Sequence, residues 1–304
     1  MSSRNTLTAS PLISQSELLA LQIQAGQIDT SANSSHKLDS RDAGWLPTNT
    51  LGSGMDYAES RVYQQGDDPR TINWRLSARS TNTYVKNYHM ESRPELCIML
   101  DQRRPMIFGT RKRLKATQAL RLASVLAFAA EQHRLSLQIV LINDDVHWLG
   151  KQSIEGFLKQ SNHAALPTEV KPQVAINEVL EQITTRLKEG SLLYLVSDFM
   201  DLETSHKRLL VQLQEYFFVH ALHIIDPAER QYKKVGGVQL QDMYAENSIY
   251  LSPDQQDMSA NLNHIASEHF NAIHETLIKA AVSYSAILSD EESIHAYISL
   301  PLGH

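Results

Sequence analysis

The sequence predicts an α/β fold: a mostly parallel sheet with helices on both faces, plus an N-terminal extension. Four apolar runs carry the prediction: "LCIMLD" (96–101), "LQIVLIND" (137–144), which has β-branched residues, "LLYLVSDF" (192–199) and "FFVHALHIID" (217–226). Each has the length of a strand and lacks polar alternation, as expected of strands covered on both faces. Segments of helical length separate them, so strands and helices alternate. The region before residue 96 does not share this alternation and reads as an extension.

The elements follow in order. Residues 1–11 are rich in Ser and Thr and read as a frayed end. In "SQSELLALQIQAGQI" (14–28), Ser14 and Glu17 have capping-box spacing, Leu18, Leu19, Leu21 and Ile23 give a helical stripe, and Gly26 is the stop. Residues 31–50 turn polar and read as a linker. "RLKATQALRLASVLAFAAEQH" (113–133) is an Ala/Leu-rich helix, and "VAINEVLEQITTRLKE" (174–189) is a helix closed by Gly190. "SHKRLLVQLQEY" (205–216) is a third helix, and residues 257–288 read as one long final helix. The resulting division is 1–45, helix and linker; 46–95, an extension packed on the sheet domain; and 96–304, the sheet domain itself.

Composition narrows the function. The chain has 304 residues, 42% apolar and 20% charged, which suits a globular protein with a sizeable core. Its net charge of −6 argues against nucleic acid as a general partner. Cys97 is the single cysteine and lies in an apolar run, so no intrachain disulfide can form and a reducing compartment fits. No run approaches the roughly eighteen apolar residues of a membrane span. The expectation is a cytoplasmic protein with no direct membrane span.

In an open α/β sheet, ligands sit beyond the carboxyl ends of the strands. Asp101 and Asp198 lie at two such ends. A pair of carboxylates there suits a divalent metal; Asp also caps helices and forms turns at such places, and both readings stand. "GTRKRLK" (109–115) lacks P-loop spacing and reads as a solvated helix start. The thirteen histidines include no HExxH, and His264, His269 and His274 are five apart, too far round a helix to share a metal easily; they read as surface residues. Ser197 precedes Asp198 without a nucleophile elbow, so a hydrolase serine is not expected.

"VYQQGDDPRTINWRLSARS" (62–80) concentrates charge and an aromatic in a short stretch. Asp68 suits a helix cap and Pro69 the first helical position. Ile72 and Leu76 would then share one face, and Arg75 and Arg79 another. Arg70, Arg75 and Arg79 stand against Asp67 and Asp68, a near-balance that suggests internal ion pairs and a latch onto the sheet domain.

The same stretch resembles the signature of the bacterial domain-of-unknown-function family 58: Gly66, Asp67, Asp68, Arg70, Asn73 with Trp74, and Ala78 with Arg79 occur together and in order, with Arg75 between them. The likeness continues through "LDQRRPMIFGT", "LVSDF" and "IIDPAE". It implies a von Willebrand factor A-like sheet of Rossmann type. It also implies a non-enzymatic, chaperone-like role beside MoxR-type AAA+ ATPases, and other von Willebrand A proteins, in assembling or maturing protein complexes. The adhesion-type metal site of such domains needs Asp-x-Ser-x-Ser on its first loop. Here that loop reads Asp101, Gln102, Arg103, Arg104, Pro105, so both hydroxyl ligands are missing. The second-loop Thr falls near Gln173 or Val174, with Thr168 close by. The expectation is a degenerate site at Asp101 and Asp198, with Arg103 as the substitute cation and no cofactor. The alternative is a metal-dependent phosphohydrolase built on Asp101 and Asp198.

Overall fold

In the computed structural model the first helix runs Gln15–Ala25 (α1), and the Ser14 hydroxyl accepts the Glu17 backbone N–H at 3.3 Å. The structure describes residues 12–30, 51–52, 56–89, 94–150, 153–161, 174–230, 238–241, 248–251 and 256–302. The linker expected at 31–50 lies outside them. The chain divides into two units, residues 1–40 with 95–304, and residues 41–94. The N-terminal helix therefore belongs to the sheet unit instead of standing apart with its linker.

The smaller unit contains strands Leu51–Gly52 (β1) and Asp56–Val62 (β2), the short helix Trp74–Ser77 (α2) and strand Tyr84–His89 (β3). Its strands pair antiparallel in the order β1-β3-β2. The single helix expected from Asp68 onward is two short turns. Asp68 caps a 3₁₀ turn, Pro69–Thr71, and Asn73 caps α2. The interruption has a cause in β3: Ile72 bridges to Val85, and Asn73 N–H donates to the Tyr84 carbonyl at 2.7 Å. Those bonds hold Ile72 extended, at ψ 130°, where a helix would need it coiled.

The larger unit continues with Glu95–Asp101 (β4), Lys115–Gln132 (α3), Ser136–Ile142 (β5) and Val146–Trp148 (β6). Ile154–Ser161 (α4), Ile176–Arg186 (α5), Leu192–Ser197 (β7) and Lys207–Tyr216 (α6) come next. Then follow Phe218–Ile225 (β8), Pro227–Arg230 (α7) and a hairpin of Val238–Gln241 (β9) with Ser248–Leu251 (β10). Gln256–Lys279 (α8) and Ser283–Leu288 (β11) complete the order. Six strands form one sheet, β11-β8-β7-β4-β5-β6, parallel throughout except for β6.

The final helix is shorter than its sequence suggests. It stops at Lys279, the chain turns at Ala281 with φ 59°, and "SYSAIL" becomes β11 along the side of β8. An open parallel edge supplies backbone partners that a lengthened helix would leave unmade. Helix α5 likewise ends at Arg186, and Gly190, at φ 77°, makes the turn into β7 instead of capping the helix.

Strand periodicity sorts the core into two clusters. Leu96, Ile98 and Leu100 of β4 join Tyr194, Val196, Leu222 and Ile224 beneath α1, α3 and α4. Cys97 and Met99 join Leu193, Leu195, Val219 and Ala221 beneath α5, α6 and α8. Helix α3 is buried almost all round because α1 lies against it, with Leu21 and Ala25 in the same cluster. Burying Leu21 alone is worth about 1.5–3 kcal/mol. Arg121 of α3 lies 2.8 Å from Glu17 of α1, an ion pair within that layer.

Candidate functional site

Parallel strands bring their carboxyl ends to one edge, and three neighbouring strands there finish next to aspartates: Asp101 on β4, Asp198 after β7 and Asp226 after β8. All three are buried. Buried carboxylates must be compensated, and each has its own donors.

Asp101 is held by Arg103 and Ser197. Arg103 donates to it from Nε at 3.0 Å, from Nη2 at 2.7 Å and from its backbone N–H at 2.9 Å. The Ser197 hydroxyl donates at 2.6 Å and in turn accepts the Phe199 N–H at 2.9 Å. The same guanidinium forks onto Asp201, Nη1 at 2.6 Å and Nη2 at 2.9 Å, and Nη1 also donates to the Val174 carbonyl at 3.0 Å. A guanidinium has five N–H donors, and these contacts occupy all of them. Burial alone would lower the Arg103 pKa, but the carboxylates of Asp101 and Asp201 reverse this and raise it. Burial pushes the Asp201 carboxyl up, whereas Arg103 and the Ile176 N–H hold it below the usual range.

Asp198 does not share Arg103. It accepts from Lys115 Nζ at 2.9 Å, and Lys115 also reaches Glu229 at 2.6 Å. Residues 109–112 of "GTRKRLK" are exposed as a solvated helix start would be, but Lys115 is 1% exposed and departs from that expectation. Burial opposes its charge, but Asp198 and Glu229 together raise its pKa. For Glu229 the balance goes the other way: burial outweighs Lys115 and raises its pKa. The preceding loop folds back tightly, with Lys115 N–H donating to the Phe108 carbonyl at 2.8 Å. A Cβ on Gly109 would lie 2.4 Å from the Arg113 carbonyl oxygen, which is why that position has none. Arg111, Lys112 and Arg113 pair with Asp290 and Glu292 across the loop.

Asp226 accepts from the Thr110 hydroxyl, from Thr110 N–H at 3.0 Å, from Ala228 N–H at 2.9 Å and from the Ser289 hydroxyl at 2.9 Å. Burial raises its pKa, but these donors lower it by more. Behind it His223 is buried, with Nδ1 2.9 Å from the Tyr284 hydroxyl and Nε2 without a partner among the described residues. Burial, with the Lys115 charge nearby, pushes its pKa down to about 3. Of the three histidines on α8, His264 is exposed, whereas His269 is half-buried beside Phe270.

The sequence singled out Asp101, Asp198 and Arg103, and the structure joins Arg103 to Asp101 but gives Asp198 to a different cation. It missed Lys115, Asp201, Asp226 and Glu229. Asp226 had a signal, since "HIID" repeats the apolar-run-then-acid pattern of "IMLD". A divalent ion needs oxygen ligands with free lone pairs. The Asp101 oxygens already take donors from Arg103 and Ser197, and the residue set does not suit such an ion. Among the described residues no group of three or more His, Cys, Asp or Glu is placed to hold one. Thr168 and Gln173 lie outside the described residues.

The signature stretch is organised by a residue that the sequence did not single out. Arg61 forks onto Asp67 at 2.8 and 2.6 Å, and Asp67 also accepts the Gln64 N–H at 2.8 Å. Gly66 takes φ 111°, a conformation open to glycine. Arg70, Arg75 and Arg79 are exposed and make no ion pair among the described residues; Trp74 is 69% exposed. Among the described residues the expected internal pairs of Arg70, Arg75 and Arg79 do not occur, and Asp67 pairs with Arg61 instead.

Together these features define an open, mostly parallel α/β protein of Rossmann type whose strand-end acids are each held by donors of the chain itself, Asp101 and Asp198 by cations and Asp226 by neutral groups. The chain belongs to the family described as "Protein of unknown function DUF58", which matches residues 59–271. It is similar to uncharacterized proteins of Mycobacterium tuberculosis and Mycobacterium bovis, at 24% identity over 204 residues, 65% of this chain. The chain spans 63% of the length of those relatives. Among solved structures it is similar to the conserved hypothetical protein BatB from Bacteroides thetaiotaomicron, at 15% identity and a TM-score of 0.42. An aerotolerance-related membrane protein from Bacteroides fragilis is similar at 13% identity and a TM-score of 0.41. Each match covers 67% of this chain and 94% of the other. Among the described residues no helix is long and apolar enough to cross a membrane.

Proposed function

We propose that this chain is a non-catalytic interaction module of von Willebrand A type, cytoplasmic, and a partner of a MoxR-type AAA+ ATPase in assembling or maturing other protein complexes. The observation that carries the non-catalytic part is the saturation of Asp101. Its carboxylate accepts from Arg103 and Ser197, and Arg103 has no donor left over for a substrate. A general base or metal ligand needs a lone pair open to its target. Asp198 is similarly engaged by buried Lys115. What the resemblance of the signature residues implies is the support for the ATPase as partner.

The test uses the purified chain with a MoxR-type ATPase from the same organism, in ATP and in ADP. Co-elution, with a change in ATP hydrolysis rate, is the expected result; no association in either nucleotide overturns the partner assignment. Turnover of p-nitrophenyl phosphate with magnesium or manganese, lost in Asp101→Asn and Asp198→Asn, would establish the phosphohydrolase instead.

A further inference from the structure

We infer that residues 70–79 form a docking surface for an acidic face of a partner protein, with Trp74 as its apolar anchor and Arg70, Arg75 and Arg79 as its charges. That the partner is the ATPase rests on the reading above; the surface itself rests on four observations.

First, apolar side chains face outward here: Trp74, Leu76 and Val62 are all exposed. Scattered exposed Leu or Val residues are ordinary, but a Trp left this open has a large area to bury on a partner. Second, Arg70, Arg75 and Arg79 make no ion pair among the described residues. Arg61 has consumed Asp67, so Asp68 is the one acid in residues 60–85 left to face three exposed arginines. Third, the stretch is held in place without a partner. Asn73 Nδ2 donates to the Ser60 hydroxyl at 3.0 Å, and Tyr84 N–H donates to the Ser77 hydroxyl at 2.9 Å. Trp74 and Arg75 thus sit on a short helix pinned at both ends to its neighbours, which lowers the ordering cost of binding. Fourth, Trp and Arg are the residue types that dominate interface energetics.

Charge complementarity selects the occupant. Residues 60–85 carry four arginines against two aspartates, whereas the whole chain carries −6. A local positive patch on an acidic protein attracts an acidic protein face, while the overall charge repels a long polyanion such as nucleic acid. The absence of lysine from residues 60–85 fits this, because arginine forks match carboxylates in two-point geometry.

Two variants test the surface, Trp74→Ala and the double variant Arg75→Glu with Arg79→Glu. Both side-chain sets are exposed, so both variants keep the wild-type melting temperature. Two probes are used: the purified ATPase, and a fluorescein-labelled peptide alternating glutamate with leucine and phenylalanine. The wild type binds at least one of them with an affinity that falls as salt rises, and each variant weakens that binding tenfold or more. If the ATPase fails to bind the wild type while the peptide binds and responds to the variants, the partner assignment falls and the surface stands. Unchanged binding of both probes in the variants, or no binding of either to the wild type, overturns the surface. Tighter binding of a twenty-nucleotide DNA than of the peptide reassigns it to nucleic acid.

Discussion

Replacing Arg103 by Met tests the reading of the sheet edge most directly. The guanidinium is 4% exposed and serves two carboxylates and a carbonyl. Met matches much of its length but supplies no donor, so Asp101 would keep only the Ser197 hydroxyl and the backbone N–H of residue 103. Breaking a buried pair by removing one partner costs about 3–5 kcal/mol. The loss falls mainly on Asp101, whose side chain is 1% exposed; Asp201 is 29% exposed and can recover water. In a unit of this size about 3–5 kcal/mol lowers the melting temperature by roughly 10 °C. The assay is urea unfolding followed by circular dichroism, at pH 7 and again near pH 4. In the variant Asp101 is left as a buried carboxylate without the guanidinium that compensated its charge. In the wild type the depressed Asp201 contributes stability that is present above about pH 4 and lost as pH falls through its lower folded pKa. The gap between the two proteins therefore narrows as pH falls. Adding Asp101→Asn to the variant should recover part of the loss. A penalty below about 1 kcal/mol, or one that widens in acid, would refute the argument.

Other expectations follow from the same geometry. Gly109→Ala pushes a methyl group to 2.4 Å from the Arg113 carbonyl, and should cost about 1–3 kcal/mol in the same unfolding assay. His220 and His223 are buried neutral, with pKa values pushed down to about 4 and about 3, so the unfolded chain binds more protons below its own value near 6.5. Stability should fall between pH 7 and pH 5 by up to about 2 kcal/mol per histidine, and a flat profile would contradict their burial. Calorimetric titration of the wild type with magnesium or manganese should show no stoichiometric binding, because Arg103 holds the Asp101 oxygens; tight binding would mean that the ion displaces the guanidinium. Lys115→Met, which strands Asp198 and Glu229, should destabilise by about 3 kcal/mol, read as a shift in the urea midpoint.

Much of the architecture was legible in the linear chain because its signals are local. Strand-length apolar runs marked β4, β5, β7 and β8, and the Ser14 cap with Gly26 marked the limits of α1. Strand-end acids were visible as Asp101 and Asp198 for the same reason. Tertiary structure decided whatever depended on competition between distant partners. "SYSAIL" left the helical pattern because β8 offered a parallel edge, and the helix after Asp68 broke because Tyr84 and Val85 captured Asn73 and Ile72. The cations were assigned the same way. Arg103 is two residues from Asp101, and its link to Asp101 was foreseeable, but its second carboxylate, Asp201, lies 98 positions away. Lys115 looked like one basic residue among several until α3 buried it 83 positions from Asp198. A charge run in sequence does not say which member will be desolvated, because burial depends on the helices and strands packed around it. At the signature the reverse happened: Arg61 took Asp67, and three arginines that looked paired were left facing outward.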